Sequence, residues 1–421
     1  MDNARVLDEL WAAVHTGDND TAARLLGRLP DEFAAGPEGT AMLRAAVEAG
    51  DAPVADALVS AGADPLDVWP GGGDALSWAA DHGYCPVVNV LLPALDGQHR
   101  PAVAAAAELA RAWLEVEPEE ELWRRLGLPR GGTVDRRLRP CGIGDGAQLV
   151  RVTAPDGRTA ESMTAHRAVL TQLEHALGAP ISREVALRRA LHYAEPDSCD
   201  WVESVFAVLE DIDPERPFRW AAERLDDPRV DIRRFAADVV QVLSFEPRPF
   251  QRAAIEHLRA RLEAETDGVA LLPLLDAFSN FQDSGPLPEV RRHLGHADPR
   301  VRRVVAGILG ALPVINEPGS MSALSQLADD PEATVRTVAL HTLAETDLDS
   351  PAVRALFTAH LDDPDSHARA GALGGLAGLG DEDALDSLWR LVREQGDANM
   401  FRHADYATRR AERRRPGRVV A

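Results

Sequence analysis

The chain contains no lysine: all 45 of its basic residues are arginine. That removes Schiff-base chemistry, a lysine general base and the phosphate-loop lysine. Aromatic residues make up only 5%. There are three cysteines, Cys85, Cys141 and Cys199, far apart and forming no CxxC pair. Neither a disulfide framework nor a cysteine zinc site is therefore expected. No run of 18 apolar residues occurs, so no membrane-spanning helix is expected. The N-terminus, Met1-Asp2-Asn3-Ala4-Arg5, lacks an apolar signal segment, which makes the cytoplasm the expected location. Acidic residues outnumber basic ones to give a net charge of −23. Duplex nucleic acid is held mainly by cationic contacts to phosphate, so a broad nucleic-acid face is disfavoured.

What is present is length and repetition. The 421 residues, 45% of them hydrophobic, suffice for two or three domains. Gly17, Gly50 and Gly83 lie 33 residues apart. Ala13, Ala46 and Ala79 precede them at the same interval, and Leu25-Leu26, Leu58-Val59 and Leu91-Leu92 follow. Each unit reads as a short helix, a glycine turn and a second amphipathic helix. The second unit, Thr40-Ala41-Met42-Leu43-Arg44-Ala45-Ala46 followed by Gly50-Asp51 and Leu58 to Asp64, resembles the ankyrin repeat. The family's Pro and His after the Thr are replaced by Ala41 and Arg44. The stretch from Ala102 to Val116 is expected to close this array.

A second periodicity follows. Asp227-Pro228, Asp330-Pro331 and Asp363-Pro364 each precede an arginine six residues after the Asp, at 233, 336 and 369. Arg302 follows His296 at the same spacing, and Asp267-Gly268 marks the remaining unit by opening a helix from Val269 to Phe278. Asp suits a helix N-cap and Pro its first turn. These features resemble HEAT repeats. The resemblance implies a ladder of charge-assisted hydrogen bonds between neighbouring units through Asp227, Arg233, Asp330, Arg336, Asp363 and Arg369. It implies an interruption at His296, and the arginine is lost where Asp197 is followed by Glu203. About six units fit between 183 and 396 at a period of ~34 residues.

Between the arrays, Leu126 to Gly146 reads as linker. Gln148 to Thr153 and Arg158 to Met163 alternate around Pro155-Asp156-Gly157, which is a hairpin signal. Thr164 is expected to cap a helix ending at Gly178. The expected fold is thus mainly α: two α-solenoids, ankyrin-like over 1–126 and HEAT-like over 181–398. They would be joined by a small α+β insert with a β-hairpin over 127–180. An arginine-rich tail over 399–421 would extend beyond the last packed helix.

Candidate chemistry is sparse. Gly142-Ile143-Gly144-Asp145-Gly146 lacks the strand-then-helix context of a dinucleotide loop and reads as a turn. His293 and His296 have ligand spacing but no third partner, so surface histidines are favoured over a metal site. Cys199 near His192 could form a nucleophile and base, although a half-buried structural cysteine is favoured. Ten of the 21 aromatic residues fall between Tyr193 and Phe281. They mark either a pocket or the filling of irregular repeats, the latter being favoured. Gly307, Gly310, Gly371, Gly374, Gly375 and Gly378 recur at helical spacing, which fits either a partner's close approach or tight helix packing. The candidate binding surface comprises Trp201, Glu203, Trp220, Arg234, Asp238, Arg303 and His341. No cofactor, metal ion or catalytic residue is expected. The chemistry favours a protein–protein interaction scaffold for a basic or mixed-charge protein or peptide client. A HEAT-like enzyme or small-molecule site around 193–281 is the alternative. Nucleic-acid contact is confined to the arginine tail, and no membrane association is expected.

Overall fold

The computed structural model describes residues 3–414 apart from 17, 30–32, 141–145, 194, 196–197, 246–248, 282–286, 311–314, 316–318 and 347. The chain is mainly helical, with one small antiparallel sheet, and its architecture is that of a helical repeat solenoid. It packs as two units, Met1–Ile212 and Asp213–Ala421. The limits expected at 126 and 180 both fall inside the first.

The first unit begins with the helix pairs α1 (Asn3–Thr16) and α2 (Asn19–Leu26), α3 (Pro37–Ala49) and α4 (Ala52–Ser60), and α5 (Ala75–Asp81) and α6 (Cys85–Leu91). Asp18, Asp51 and Asp74 open α2, α4 and α5 by accepting backbone N–H bonds from Thr21, Val54 and Ser77. Gly50 and Gly83 turn the chain at φ +72° and +70°. A β-carbon at Gly50 would lie 2.3 Å from the Tyr84 ring, and one at Gly83 2.7 Å from the Met163 carbonyl oxygen. The 33-residue spacing therefore marks positions where conformation and space both demand glycine. Gly17 lies outside the described residues. Ala13, Ala46 and Ala79 are buried, as close helix approach requires.

Two helices, α7 (Arg100–Ala112) and α8 (Pro118–Leu126), then lead into β1 (Thr133–Arg139), β2 (Ala147–Thr153) and β3 (Thr159–Met163), an antiparallel sheet in that order. The hairpin is β2–β3, in register from Leu149↔Met163 to Thr153↔Thr159. The linker reading is corrected at β1, which pairs with β2 from Thr133↔Thr153 to Arg139↔Ala147. Its four charged residues conceal the strand in the sequence. β1 is an edge strand, and one of them, Arg136, pairs with Glu119 on α8 at 2.7 Å. Alternation along β2 sends Ala147 and Leu149 to the main core and Val150 and Val152 to a smaller one with Trp113, Leu122 and Trp123. The expected Thr164 cap is also corrected. The next helix, α9 (His166–Ala176), starts after Ala165, and the Thr164 hydroxyl accepts the Gln148 N–H at 3.1 Å. Helices α10 (Arg183–Ala190) and α11 (Cys199–Leu209) complete the unit.

The second unit contains α12 (Glu215–Arg224), α13 (Val230–Leu243), α14 (Gln251–Ala264), α15 (Gly268–Asn280), α16 (Pro288–Arg291) and α17 (Pro299–Gly310). It continues with α18 (Ser320–Ala328), α19 (Ala333–Ala344), α20 (Pro351–Ala359), α21 (Ser366–Gly378), α22 (Glu382–Gln395) and α23 (Ala398–Arg414). The second helices of the pairs, α13 to α23 in odd numbers, pack one on the next. Arg233, Arg302 and Arg336 reach forward to the following pair and back to their own turns, while Arg369 donates back to the Asp363 and Pro364 carbonyls. Arg302 meets Asp330 through two bonds of 2.7 Å, and Arg336 meets Asp363 through two of 2.8 Å. Their Nη1 groups donate to the carbonyls of His296 and Asp330, at 2.7 and 3.0 Å. Position 296 thus serves through its backbone, so its lack of a carboxylate does not stop Arg302 from binding. Arg233 meets Glu265 at 2.7 Å, an acid outside the Asp-Pro pattern.

Packing decides the glycine question at four positions. A β-carbon would lie 2.0 Å from Thr342 at Gly310, 2.5 Å from His341 at Gly371, 2.0 Å from His403 at Gly374 and 2.3 Å from Phe357 at Gly375. The expected tail is corrected as well: through Arg414 it is α23, packed on α21 and α22. Buried Arg410 donates to the carbonyls of Ala344 and Thr346, taking up acceptors left open at the end of α19.

Candidate functional site

Helices α4, α6, α9 and α11 pack in succession within the first unit. They line a cavity of about 520 Å³. Local structure on α11 separates core from cavity. Ser198 caps this helix by accepting the Trp201 N–H at 3.3 Å. Trp201 is only 1% exposed and points into the protein. Glu203, about 200° further round the helix, lines the cavity.

Gln172 on α9 fixes the Glu203 carboxylate. Its Nε2 donates to Glu203 Oε1 at 2.8 Å and to Cys85 Sγ at 3.2 Å. The Cys85 thiol in turn points at Glu203 Oε1 across 3.9 Å. Gln172 Oε1 is buried without a hydrogen-bond partner. Burial pushes the Glu203 carboxyl above its ordinary range, against the hydrogen bonds from Gln172 and Cys85 that pull it down. Burial, followed by the charges of Glu203 and Asp200, holds the Cys85 thiol well above its usual value. Cys85 is therefore a weak hydrogen-bond donor at neutral pH rather than a thiolate. Asp200 is buried, and its Oδ1 accepts the Ala168 N–H at 2.7 Å, which secures the start of α9. Its carboxyl is pushed up to about 7, mainly by burial.

Cys199 is disulfide-bonded, which overturns both the expectation of no disulfide and the nucleophile reading. Its N–H donates to the Gly146 carbonyl at 3.3 Å, docking the start of α11 beside β2. Wide sequence separation had concealed this approach. Most of the glycine-rich loop before Gly146, and Asp197, lie outside the described residues.

The other candidate residues are distributed differently. Trp220, on α12 of the second unit, is 8% exposed; Arg224 covers its face at 4.1 Å, and Phe235 meets it edge-on. Arg234 and Asp238 form a partly buried pair at 3.0 Å on α13, and Arg234 also donates to the Val269 carbonyl at 2.8 Å. Arg303 is exposed on α17. Burial raises the Asp276 carboxyl on α15, and the charges of Arg303 and Arg234 oppose that rise. These three candidates thus share an electrostatic neighbourhood, whereas Trp201 and Glu203 belong to the first unit. His341 on α19 stacks on His403 of α23 with ring centroids 4.0 Å apart, and its Nε2 lies 2.9 Å from the His367 carbonyl. The aromatic-rich zone straddles the division between units. Phe235, Phe278 and Phe281 are core, while Tyr193, Phe206 and Phe245 are exposed.

His293 and His296 both point at backbone carbonyls, of Leu262 and Thr266. Among the described residues no group of three or more His, Cys, Asp or Glu side chains is arranged to hold a metal ion. No described helix is long and apolar enough to cross a membrane. Sequence reasoning missed Cys85, Gln172 and Asp56 as cavity residues. The signal that could have found Gln172 is its position on the apolar helix α9, among buried Ala168, Val169, Leu170 and Leu173.

Residues 255–344 and 321–404 match the HEAT-repeat family model. The C-terminal region therefore carries HEAT repeats. Two solved structures are similar to the chain. The YibA protein of Escherichia coli is 16% identical, with a TM-score of 0.41, over 55% of this chain and 93% of YibA. An engineered protein is 15% identical, with a TM-score of 0.41, over 97% of this chain and 99% of its own. No curated protein matches.

Proposed function

We propose that the chain is a non-catalytic interaction scaffold that binds a basic or mixed-charge protein or peptide client. The observation that carries this reading is the cavity of the first unit. Its charged lining, Asp56 and Glu203, is acidic, and no basic residue lines it among the described residues. The −23 net charge extends that preference beyond the cavity by favouring encounter with cationic partners. HEAT repeats in the second unit supply a helical repeat scaffold of the kind that presents long binding surfaces. In this reading the first unit's helix pairs are ankyrin-like and the sheet is the joining module. The lysine-free, Ala- and Arg-rich composition supports a high-GC bacterial origin.

The test presents the immobilised full chain with matched sets of basic, neutral and acidic peptides at several salt concentrations. Preferential retention of the basic set, falling as salt rises, is the expected outcome. Equal retention of acidic and basic sets removes the reading. A small-molecule reading is favoured by one observation, the cavity volume of about 520 Å³, a size typical of ligand sites. Native mass measurement of the purified chain, looking for a retained ligand, separates it from the peptide reading.

A further inference from the structure

We propose that the cavity between α4, α6, α9 and α11 receives one alkylguanidinium group, the arginine side-chain chemistry, presented by a peptide client. The inference rests on the scaffold reading and deepens it by naming the group recognised.

Glu203 is the first ground. Its Oε1 is held by Gln172 and Cys85, and its Oε2 makes no hydrogen bond among the described residues. A carboxylate fixed by one oxygen and open at the other, inside a cavity, is a preorganised acceptor. Its orientation is secured before a ligand arrives, so less freedom is lost on binding. An incoming cation also relieves the cost of holding that charge out of water. Gln172 itself has a spare acceptor, Oε1, that is buried without a partner.

The walls are the second ground. Pro53, Pro86, Val90 and Val202 supply apolar lining suited to a methylene stem. Phe206 also lines the cavity and is 42% exposed, so its ring is accessible to an arriving group. A planar guanidinium can stack on an aromatic face while donating several N–H bonds in one plane. A compact ammonium makes the same charge contact but does not stack as a plate. Asp56 on α4 is exposed and lines the cavity too, adding attraction for an approaching cation.

The experiment uses the full-length chain and a fluorophore-labelled heptapeptide with one central arginine among glycines. It is compared with peptides in which citrulline or lysine replaces that arginine, and with free ethylguanidinium as competitor. The arginine peptide binds, and citrulline, which keeps the shape but loses the charge, weakens binding at least about tenfold. Lysine is expected to fall between them. Glu203→Gln keeps the Gln172 contact feasible and costs about tenfold or more. Phe206→Ala and Asp56→Asn, at exposed positions that leave the fold intact, cost about two- to fivefold. Binding strengthens as pH rises and the Glu203 carboxyl, raised by burial and by the charge of Glu210 and lowered by that of His175, loses its proton, because the cation prefers the carboxylate.

Equal binding of the arginine and citrulline peptides overturns the proposal. So does unchanged affinity in Glu203→Gln and Phe206→Ala variants that keep the wild-type circular dichroism spectrum and melting transition. Failure of every probe to bind overturns it as well. If ethylguanidinium binds as tightly as the peptide, the guanidinium chemistry stands and the peptide source is overturned. A basic client retained equally by wild type and Glu203→Gln leaves the scaffold reading intact and removes only the cavity's part in it.

Discussion

In the second unit, neighbouring helix pairs are tied by a repeated arginine–carboxylate ladder; in the first, they are set by glycine turns, aspartate caps, a sheet and unrepeated pairs such as Arg125–Asp81 and Arg189–Glu174. Arg302–Asp330 and Arg336–Asp363 each satisfy both partners twice over. Arg336 holds the Asp363 carboxyl below its ordinary range despite the opposing effect of burial. Burial works against the Glu265 charge, but Arg233 and Arg261 outweigh it and keep that carboxyl at about 2. The ladder charges of the second unit are thus committed to joining repeats. In the first unit, Glu203 has only a neutral amide and a thiol as partners, and its carboxyl is raised instead. A carboxylate with a cation already bound is structural; one held in place by neutral groups is ready for a cation from outside.

The comparison can be broken most directly at the ladder. Arg336→Met leaves Asp363 nearly buried without its cation and should cost about 3 kcal/mol. Segment-resolved hydrogen exchange in urea should show the loss in α17–α23 and leave α1–α6 unchanged. An equal loss in both regions would show that the ladder does not belong to the second unit alone. Close packing gives the next effect. Gly375→Val drives a side chain into the buried Phe357 ring, at an expected cost of about 2 kcal/mol, read from the urea midpoint of the same segments.

A third test sharpens what the units share. His403 and His166, one in each, are both held down to about 3, chiefly by burial. The unfolded histidine takes its proton near pH 6.5, so between 6.5 and 3 the unfolded chain binds more protons. Stability should therefore drop in both units as pH is lowered from 6.5 towards 3, by at most about 1.4 kcal/mol per pH unit for each histidine. Replacing either by Gln should flatten the slope only in its own unit, as seen by urea melts at pH 5 and 7. The smallest effect is local. Asp51→Ala removes the cap on α4 and should cost about 1 kcal/mol, detected as faster exchange at Val54.

The helical pairs were legible because their markers have single physical causes. Gly50 and Gly83 stand where only positive φ and no side chain will do, and Asp267 opens α15 where the Asp-Gly step placed a helix start. β1 was not legible, because an edge strand with three arginines, one of them paired with Glu119 on α8, looks like linker. α23 was hidden for a related reason: an arginine-rich segment looks solvated, yet Arg410 is buried on carbonyls that no sequence pattern announces. Glu203 was singled out as a departure from the Asp-to-Arg ladder spacing. Its partners were not, since Cys85 and Gln172 lie 118 and 31 residues away, and only the stacking of α6, α9 and α11 brings them together.

α23 packs along α21 and covers one of its faces. α21 is built almost wholly of alanine and glycine on its buried faces, a surface that would accept another repeat or another molecule's edge. α23 covers it, with Met400, Ala404 and Ala407 buried and Arg402, Arg409 and Arg413 turned to water. The guanidinium of Arg410, hooked over the end of α19, keeps this lid seated. Removing Ala398–Arg414 would uncover this small-residue face of α21.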